Sequence, residues 1–443
     1  MKNKFYLIAF LLLAKVGLGQ QSFSLKEAQD YAIEHNQKVL NADLDLKIAE
    51  KKVWETTAAG LPQISGDVKF QNFIDIPTSV LPANAFNPMA PEGELVGIKF
   101  GTEYNTTASL QVSQLLFSGN YLVGLQAAKT YTNLSKQLQE KSKQSIREDI
   151  AEAYYTVLVL KENVNTLDST LVKVQDLYKT TKILVENKVI ESINESQLKL
   201  SVLKVNNAIS KVKSQLEVSK SFLKMQMGMD LTTEIELAET YETITTNAVN
   251  YYEEKFSPSN NINYQLLSTQ LLLNELSYKN TKANYLPSLA AFFSHQQNAQ
   301  RNEFDLFDGE KDWYPTTVWG LSLKVPIFSS GKRASQIGQA KLEMEKTQNT
   351  MDQLSEGLKM QMIQAKASFT NTKEVYETQI IAVAVAKEIL NSTEIKYKEG
   401  VVSSMELTQV QNQLLQTQIE LTSSSFELIK AKLAIDKLLN KFN

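Results

Sequence analysis

Leu110-Gln-Val-Ser-Gln-Leu-Leu-Phe-Ser-Gly-Asn120 and Leu321-Ser-Leu-Lys-Val-Pro-Ile-Phe-Ser-Ser-Gly-Lys332 are two versions of one sentence. Each alternates apolar and polar residues, ends on Phe, Ser and Gly, and opens a long proline-free stretch. Other landmarks recur in the same order. Ala59-Gly60-Leu61-Pro62 has a counterpart in Asn284-Tyr285-Leu286-Pro287, upstream of the alternating segments. Downstream, Asn187-Lys188-Val189-Ile190-Glu191-Ser192 is answered by Glu399-Gly400-Val401-Val402-Ser403-Ser404. Self-similarity at a long period marks a duplicated architecture. Each copy reads helix, strand, long loop, strand, very long helix, break, helix.

The strands carry a period of two. In the first copy Ile64, Val68 and Phe70 alternate with Ser65, Asp67, Lys69 and Gln71. Further on, Leu110, Val112 and Leu116 stand opposite Ser109, Gln111 and Ser113, in a strand expected over about 106–117. In the second copy Trp319, Leu321, Leu323, Val325 and Ile327 alternate with Gly320, Ser322, Lys324 and Pro326. About ten residues of such alternation suffice for a strand that crosses a bilayer with one face to lipid. A half-buried sheet in a soluble domain gives the same pattern. Four strands cannot close a channel-bearing barrel alone. A membrane reading therefore requires several copies to share one cylinder, because open strand edges are not tolerated in lipid.

Helical segments flank these strands. Ser24-Leu25-Lys26-Glu27 has the form of a capping box, opening a helix expected to run to about Ala59. From Gly119 to Asn187 there is no proline and one further glycine, Gly124; Lys332 to Glu399 is similar, with Gly338 and Gly357. At about 1.5 Å per residue each would be on the order of 100 Å long. Helices of that length persist by packing side by side. Leu407, Val410, Leu414, Thr417, Leu421, Ser424, Leu428, Ala431, Ile435, Leu438 and Phe442 recur in steps of three and four, a coiled-coil seam. Leu354, Leu358, Met362, Ala365, Phe369, Tyr376, Ile380 and Val383 mark a comparable stripe on the preceding helix. Gly400 suits the positive-φ end of a helix at the hairpin between them.

Composition excludes several classes. Of 443 residues, 43% are hydrophobic and 21% charged, with a net charge of −3 and lysines spread among glutamates, so no polyanion partner and no nucleic acid is indicated. There are no cysteines, hence no disulfide framework, thiolate zinc site or cysteine nucleophile. Lys2 and Lys4, the apolar run Phe5–Ala14 and the small residues Gly17 and Gly19 read as a cleaved secretory leader over 1–19. The remainder divides into a first repeat over 20–230, a linker over 231–260 and a second repeat over 261–443. His35 and His295, the only histidines, have no metal-ligand neighbours at useful spacing. Ser330-Gly331-Lys332 lacks the glycine and the Ser or Thr of a phosphate loop, with Pro326 and Arg333 in their places. Asp305, Asp308 and Glu310 form an acidic loop that reads as solvated surface rather than a cation site. No catalytic constellation, metal site or cofactor site is expected.

Taken together, these segments resemble the outer-membrane efflux protein family, the TolC-like exit ducts. The residues that carry the resemblance are Ser24-Leu25-Lys26-Glu27-Ala28, Leu61-Pro62, Leu286-Pro287, Phe117-Ser118-Gly119, Phe328-Ser329-Ser330-Gly331 and Gly400-Val401-Val402-Ser403-Ser404-Met405-Glu406-Leu407. The resemblance implies a homotrimer, mainly α with transmembrane β. Four strands per subunit would join a shared twelve-stranded outer-membrane barrel, and the helices a coiled-coil periplasmic barrel. It implies that a periplasmic adaptor docks at the hairpin tips, here Asn187, Lys188, Val189, Gly400, Val401, Ser403 and Ser404. An inner-membrane transporter of a tripartite efflux pump or type I secretion system would supply the energy. The acidic ring that narrows the family's periplasmic mouth falls on Glu406 and Gln409; Gln409 departs from the acidic pattern. In the first repeat Lys188 replaces the tip glycine and Asn194 stands where Glu406 does. The competing reading is a soluble or surface-attached periplasmic coiled-coil scaffold.

Overall fold

A computed structural model describes residues 21–250, 254–306 and 308–442. The leader expected at 1–19 lies outside them. The elements, in chain order, are β1 (Gln21–Phe23), α1 (Leu25–His35), α2 (Gln37–Ala58), β2 (Gln63–Asn72), β3 (Thr78–Pro82), β4 (Leu95–Lys99), β5 (Tyr104–Ser118), α3 (Gly119–Glu186), α4 (Ser192–Met227), β6 (Ile235–Leu237), α5 (Tyr241–Val249), α6 (Ile262–Ala283), β7 (Ser288–Arg301), β8 (Tyr314–Lys324), α7 (Lys332–Lys398) and α8 (Ser404–Leu438). They fall into two compact units. One comprises residues up to Leu46, Leu134–Ser268 and Asn349–Asn443; the other comprises Lys47–Asn133 and Thr269–Gln348.

The second unit holds a four-stranded antiparallel sheet in the order β2-β5-β7-β8. Two hairpins, one from each repeat, meet at the β5–β7 pair. Register places Ile64 opposite Val112 and Phe70 opposite Thr106, then Val112 opposite Phe293 and Phe293 opposite Trp319. The period of two therefore puts Ile64, Val68, Leu110, Val112, Phe293, Trp319, Leu321 and Leu323 on one face. Ser65, Asp67, Lys69, Ser109, Gln111, Gln296 and Ser322 lie on the other. A bulge at Leu116 interrupts the β5–β7 register just before the helix.

Three differences from the sequence expectation have physical causes. The strand expected to carry Val325 and Ile327 ends at Lys324. Pro326 has no N–H for a ladder, and its carbonyl instead accepts from Arg333 Nη1 at 3.0 Å. The proline-rich loop contains the β3–β4 hairpin. The first helix breaks at Asn36, whose backbone is extended (ψ 128°). The Asn36 side chain accepts the Lys38 N–H at 2.8 Å and donates to the Gln226 carbonyl at 2.7 Å, so it both restarts the helix as α2 and ties it to α4. Gly228 makes room for this crossing: a Cβ there would sit 2.5 Å from the His35 carbonyl oxygen, and its φ is +74°.

In the first unit the helices pack along the stripes read from the sequence. Leu358 and Met362 of α7 bury against Ile435 and Leu438 of α8, and Val383, Ala386 and Leu390 against Leu407 and Leu414. Ile380 departs from the stripe and is exposed. The central core gathers Ala28, Ala32, Ile150, Tyr154, Leu223, Met227 and Leu428 around the parallel β1–β6 pair. The Ser24–Glu27 capping box forms: the Ser24 N–H donates to the Glu27 carboxylate at 2.8 Å, and the Glu27 N–H to Ser24 Oγ at 3.3 Å. Those donations, first of all from the Ser24 backbone, hold the Glu27 carboxyl below its usual range.

Candidate functional site

Two places carry unusual chemistry: the tips of the α3–α4 and α7–α8 hairpins, and the sheet of the other unit.

At the tips, both long helices end in the same hydrogen-bonded turn. The Lys188 and Val189 N–H groups donate to the Val185 and Leu184 carbonyls, each at 2.9 Å. The Gly400 and Val401 N–H groups donate to Tyr397 at 3.0 Å and Lys396 at 2.9 Å. This is the Schellman arrangement, which requires a left-handed residue after the helix. Asn187, Lys188, Val189, Gly400, Val401 and Ser403 are exposed around these turns. Ser404 is buried. Its hydroxyl bridges from α8 to Asn194 and, at 3.0 Å, to Gln197 Oε1 of α4. Higher up, Thr181 Oγ1 and the Tyr397 hydroxyl pair at 2.8 Å, joining α3 to α7. These five polar residues knit one hairpin to the other. Spacing arguments missed the pairing, because a serine or asparagine on a helix face has no signature of its partner.

Ser403 caps α8, its Oγ accepting the Glu406 N–H at 3.2 Å. Glu406 thus sits in the first turn, where the amino end of the helix favours a negative charge. Gln409 follows three residues on, on the same side. Both are exposed, with Leu407 fully buried behind them. Among the described residues the Glu406 carboxylate has no cationic partner.

The sheet is open in every sense. All of β2 and all but Gly320 of β8 are exposed on both faces. Each of these edge strands leaves one row of backbone groups without a partner strand among the described residues. The apolar face is bare, with Val68 75% and Trp319 77% exposed. Such an edge and such a face are unstable in water.

In the loop between β7 and β8, Asp305 is engaged by two cations. Arg301 Nε lies 3.4 Å from Asp305 Oδ1, and Lys311 pairs with the other oxygen. Asp305 is thereby neutralised within the loop. Among the described residues no cluster of acidic, histidine or cysteine side chains has the arrangement to hold a metal ion, and no helix is long and apolar enough to cross a membrane.

The profile of the outer membrane efflux protein family matches residues 29–228 and 270–441, one stretch in each repeat. The chain belongs to the outer membrane efflux protein family. The outer membrane efflux protein BepC of Brucella suis is 21% identical over 442 residues, covering 96% of this chain and 88% of that one. Among solved structures, CusC superposes with a TM-score of 0.73 at 14% identity, over 94% of this chain and 92% of that one. VceC of Vibrio cholerae does so at 0.69 and 15%, over 94% and 95%. At such identities the structures speak for the fold, and they agree on it: long helices carrying a small β sheet. Family membership decides between the two readings left open by the sequence. The protein is an outer-membrane efflux channel rather than a free scaffold.

Proposed function

We propose that three copies assemble into one duct, pairing β2 of each chain with β8 of the next so that their sheets close a twelve-stranded barrel. The observation that carries this reading is the pair of open edges. A four-stranded sheet with two unpaired edges and an apolar face has no stable form in lipid until those edges are paired. Three such sheets reach a strand number that holds a channel. The polar face, with Ser109, Gln111 and Gln296, then lines water.

At the hairpin tips, three copies of the exposed Glu406 carboxylate converge on the periplasmic mouth, with Gln409 one turn further along. Like charges brought close repel one another and draw cations. The exposed tip residues Asn187, Lys188, Val189, Gly400, Val401 and Ser403 receive a periplasmic adaptor, and Ser404 sets the spacing of the two hairpins beneath them. An inner-membrane transporter, of a tripartite pump or a type I secretion system, supplies cargo and energy.

The experiment is a planar-bilayer recording with purified full-length protein. Glu406→Ala is expected to lower cation preference or change single-channel conductance relative to the parent. Recordings indistinguishable from the parent would remove Glu406 from the mouth. A detergent-solubilised mass of one chain, not three, would remove the shared barrel.

A further inference from the structure

In the second unit, the β3–β4 ribbon is apolar on both faces. Val80, Pro82 and Leu95 lie on one, and Leu81, Val96 and Ile98 on the other. Leu95 is 64% exposed, and Met89, in the segment that joins the strands, is 94% exposed. Val80 and Phe86 are exposed as well. From Ile76 to Pro91 no residue is charged. A two-stranded ribbon is marginally stable in water, and one with such a surface calls for cover.

The place of the ribbon narrows what covers it. The β2–β5 hairpin runs on to Phe73, whose N–H donates to the Glu103 carbonyl at 2.7 Å. Between β4 and β5, Gly101 takes a φ of +124°, a bend that a side chain would strain. Just below this bend the Phe70 and Tyr104 rings, on the apolar side of the sheet, each lie 5.9 Å from the Phe304 ring of the β7–β8 loop. Aromatic girdles mark the membrane–water boundary of a β-barrel, so the ribbon begins beyond lipid. Asp75 precedes the uncharged stretch and Glu92 and Glu94 follow it, and drawing these carboxylates into hydrocarbon is costly. On the apolar side the rim is already occupied by Phe304 and the Asp305–Lys311 pair. The polar side is left, and in a shared barrel that side faces the lumen.

We propose that the β3–β4 ribbon is an outer gate: the ribbons of three copies meet over the lumen and cover one another's Val80, Phe86, Met89 and Leu95. The inference rests on the shared barrel proposed above. Twelve strands about 4.8 Å apart and tilted by about 40° enclose a radius of about 12 Å. Strands of 5 residues each reach about 17 Å, so ribbons from three sides meet at the axis. The surface that each copy leaves bare is the surface its neighbours bring, and an uncharged surface needs no opposite charge to meet its like. An apolar constriction sheds water and blocks ions, and parting the ribbons lets them through.

The chain has no cysteine, so a single introduced thiol reports contact between copies. The test treats the detergent-purified full-length Met89→Cys variant, changed at an exposed site, with copper phenanthroline. Disulfide-linked pairs of chains are expected, while Glu310→Cys, on the exposed β7–β8 loop, stays unlinked. A native mass of one chain would overturn the shared barrel and this inference with it. A mass of three chains without linkage, or equal linkage at the two positions, would overturn the gate alone. So would quenching by brominated lipid of a fluorophore carried on the thiol of Met89→Cys, which would seat the ribbon in the membrane. In planar-bilayer recordings of the linked Met89→Cys channel, adding a reductant is expected to raise conductance about two-fold or more. Conductance unchanged by reduction would overturn the gate.

Discussion

Lys188 and Gly400 occupy the same left-handed position at the ends of the two long helices, with φ of 60° and 74°. The duplication has preserved the turn but not the residue that fits it best. A side chain with a Cβ in this conformation costs about 1–2 kcal/mol, part of which glycine forfeits through its freer unfolded state. Lys188→Gly is therefore expected to tighten the first tip by about 0.5–1 kcal/mol, and Gly400→Ala to loosen the second by about 1 kcal/mol. Amide exchange at Val189 and Val401, whose N–H groups close the two turns, reads this directly. Protection at Val189 should rise a few-fold in the first variant, and at Val401 fall a few-fold in the second. Unchanged protection at both would mean that the turns are held from outside rather than by their own backbone.

The Ser404 bridge gives a second expectation. Removing its hydroxyl leaves the Asn194 and Gln197 amides facing an alanine methyl inside a buried contact. That costs about 1–3 kcal/mol if neither finds another partner. Ser404 stands two residues before Glu406 on α8, so a looser bridge lets the two hairpins part near the proposed mouth. Ser404→Ala should raise mean conductance or open-state lifetime in bilayer recordings, and adding Tyr397→Phe, which breaks the 2.8 Å pair with Thr181, should raise it further. A conductance distribution identical to the parent in the double variant would show that these contacts do not restrain the mouth.

In the core of the first unit, the Tyr154 hydroxyl donates to the Phe23 carbonyl at 2.9 Å and accepts the Glu239 N–H at 3.3 Å. It thereby fastens β1 and the residues after β6 to α3. Burial is the main reason that its ionisation is pushed up to about 12 from the usual 10.0; the nearby Glu239 charge adds to it, against the Glu239 and Ala238 backbone. The sign follows from which form the fold prefers. The neutral phenol is favoured, so its contribution is full below about pH 10 and is lost as pH climbs from about 10 to about 12. Two units correspond to a contribution on the order of 2–3 kcal/mol. Tyr155, Tyr241 and Tyr376 are also raised, chiefly by burial, so the comparison must be with Tyr154→Phe. That variant should be less stable at pH 8 by about 1–3 kcal/mol, through the Phe23 carbonyl and Glu239 N–H it leaves unpaired. Its stability should fall less steeply above pH 10. Parallel pH profiles for parent and variant would show that Tyr154 does not report the alkaline transition.

How much of this was legible beforehand depends on the range of the interactions. The alternation in β2, β5 and β8 and the seam Leu407–Leu438 are local and repetitive, and they survive into the structure nearly as read. The Ser24–Glu27 cap is also local and forms as its spacing demands. What escaped depends on distant partners. Asn36 breaks a helix because Gln226 lies beside it in space, and β1 exists because Ile235–Leu237 offers it a partner. At the tips the resemblance pointed to six exposed residues and to Ser404, which is buried; the Ser404–Asn194 contact, between residues 210 apart, had no signal in either segment.

Val68 and Trp319 allow the membrane placement to be tested on one face of one sheet. In a water-soluble sheet a valine that is 75% exposed would tolerate lysine with a change within about 0.5 kcal/mol. In lipid the same substitution costs about 2–4 kcal/mol near the bilayer midplane. The chain carries its own control: Asp67 and Lys69 flank Val68 on β2 and project to the opposite face, opposite Ser109 and Thr107. Val68→Lys and Trp319→Lys are therefore expected to reduce the amount of folded, heat-modifiable protein recovered in outer-membrane fractions. Ser65→Lys and Gln111→Lys, on the water-lining face, should leave that yield unchanged. Only a sheet with lipid on one side and water on the other separates the two pairs. Equal tolerance of all four substitutions would place the whole sheet in water, and the apolar face would then need another partner.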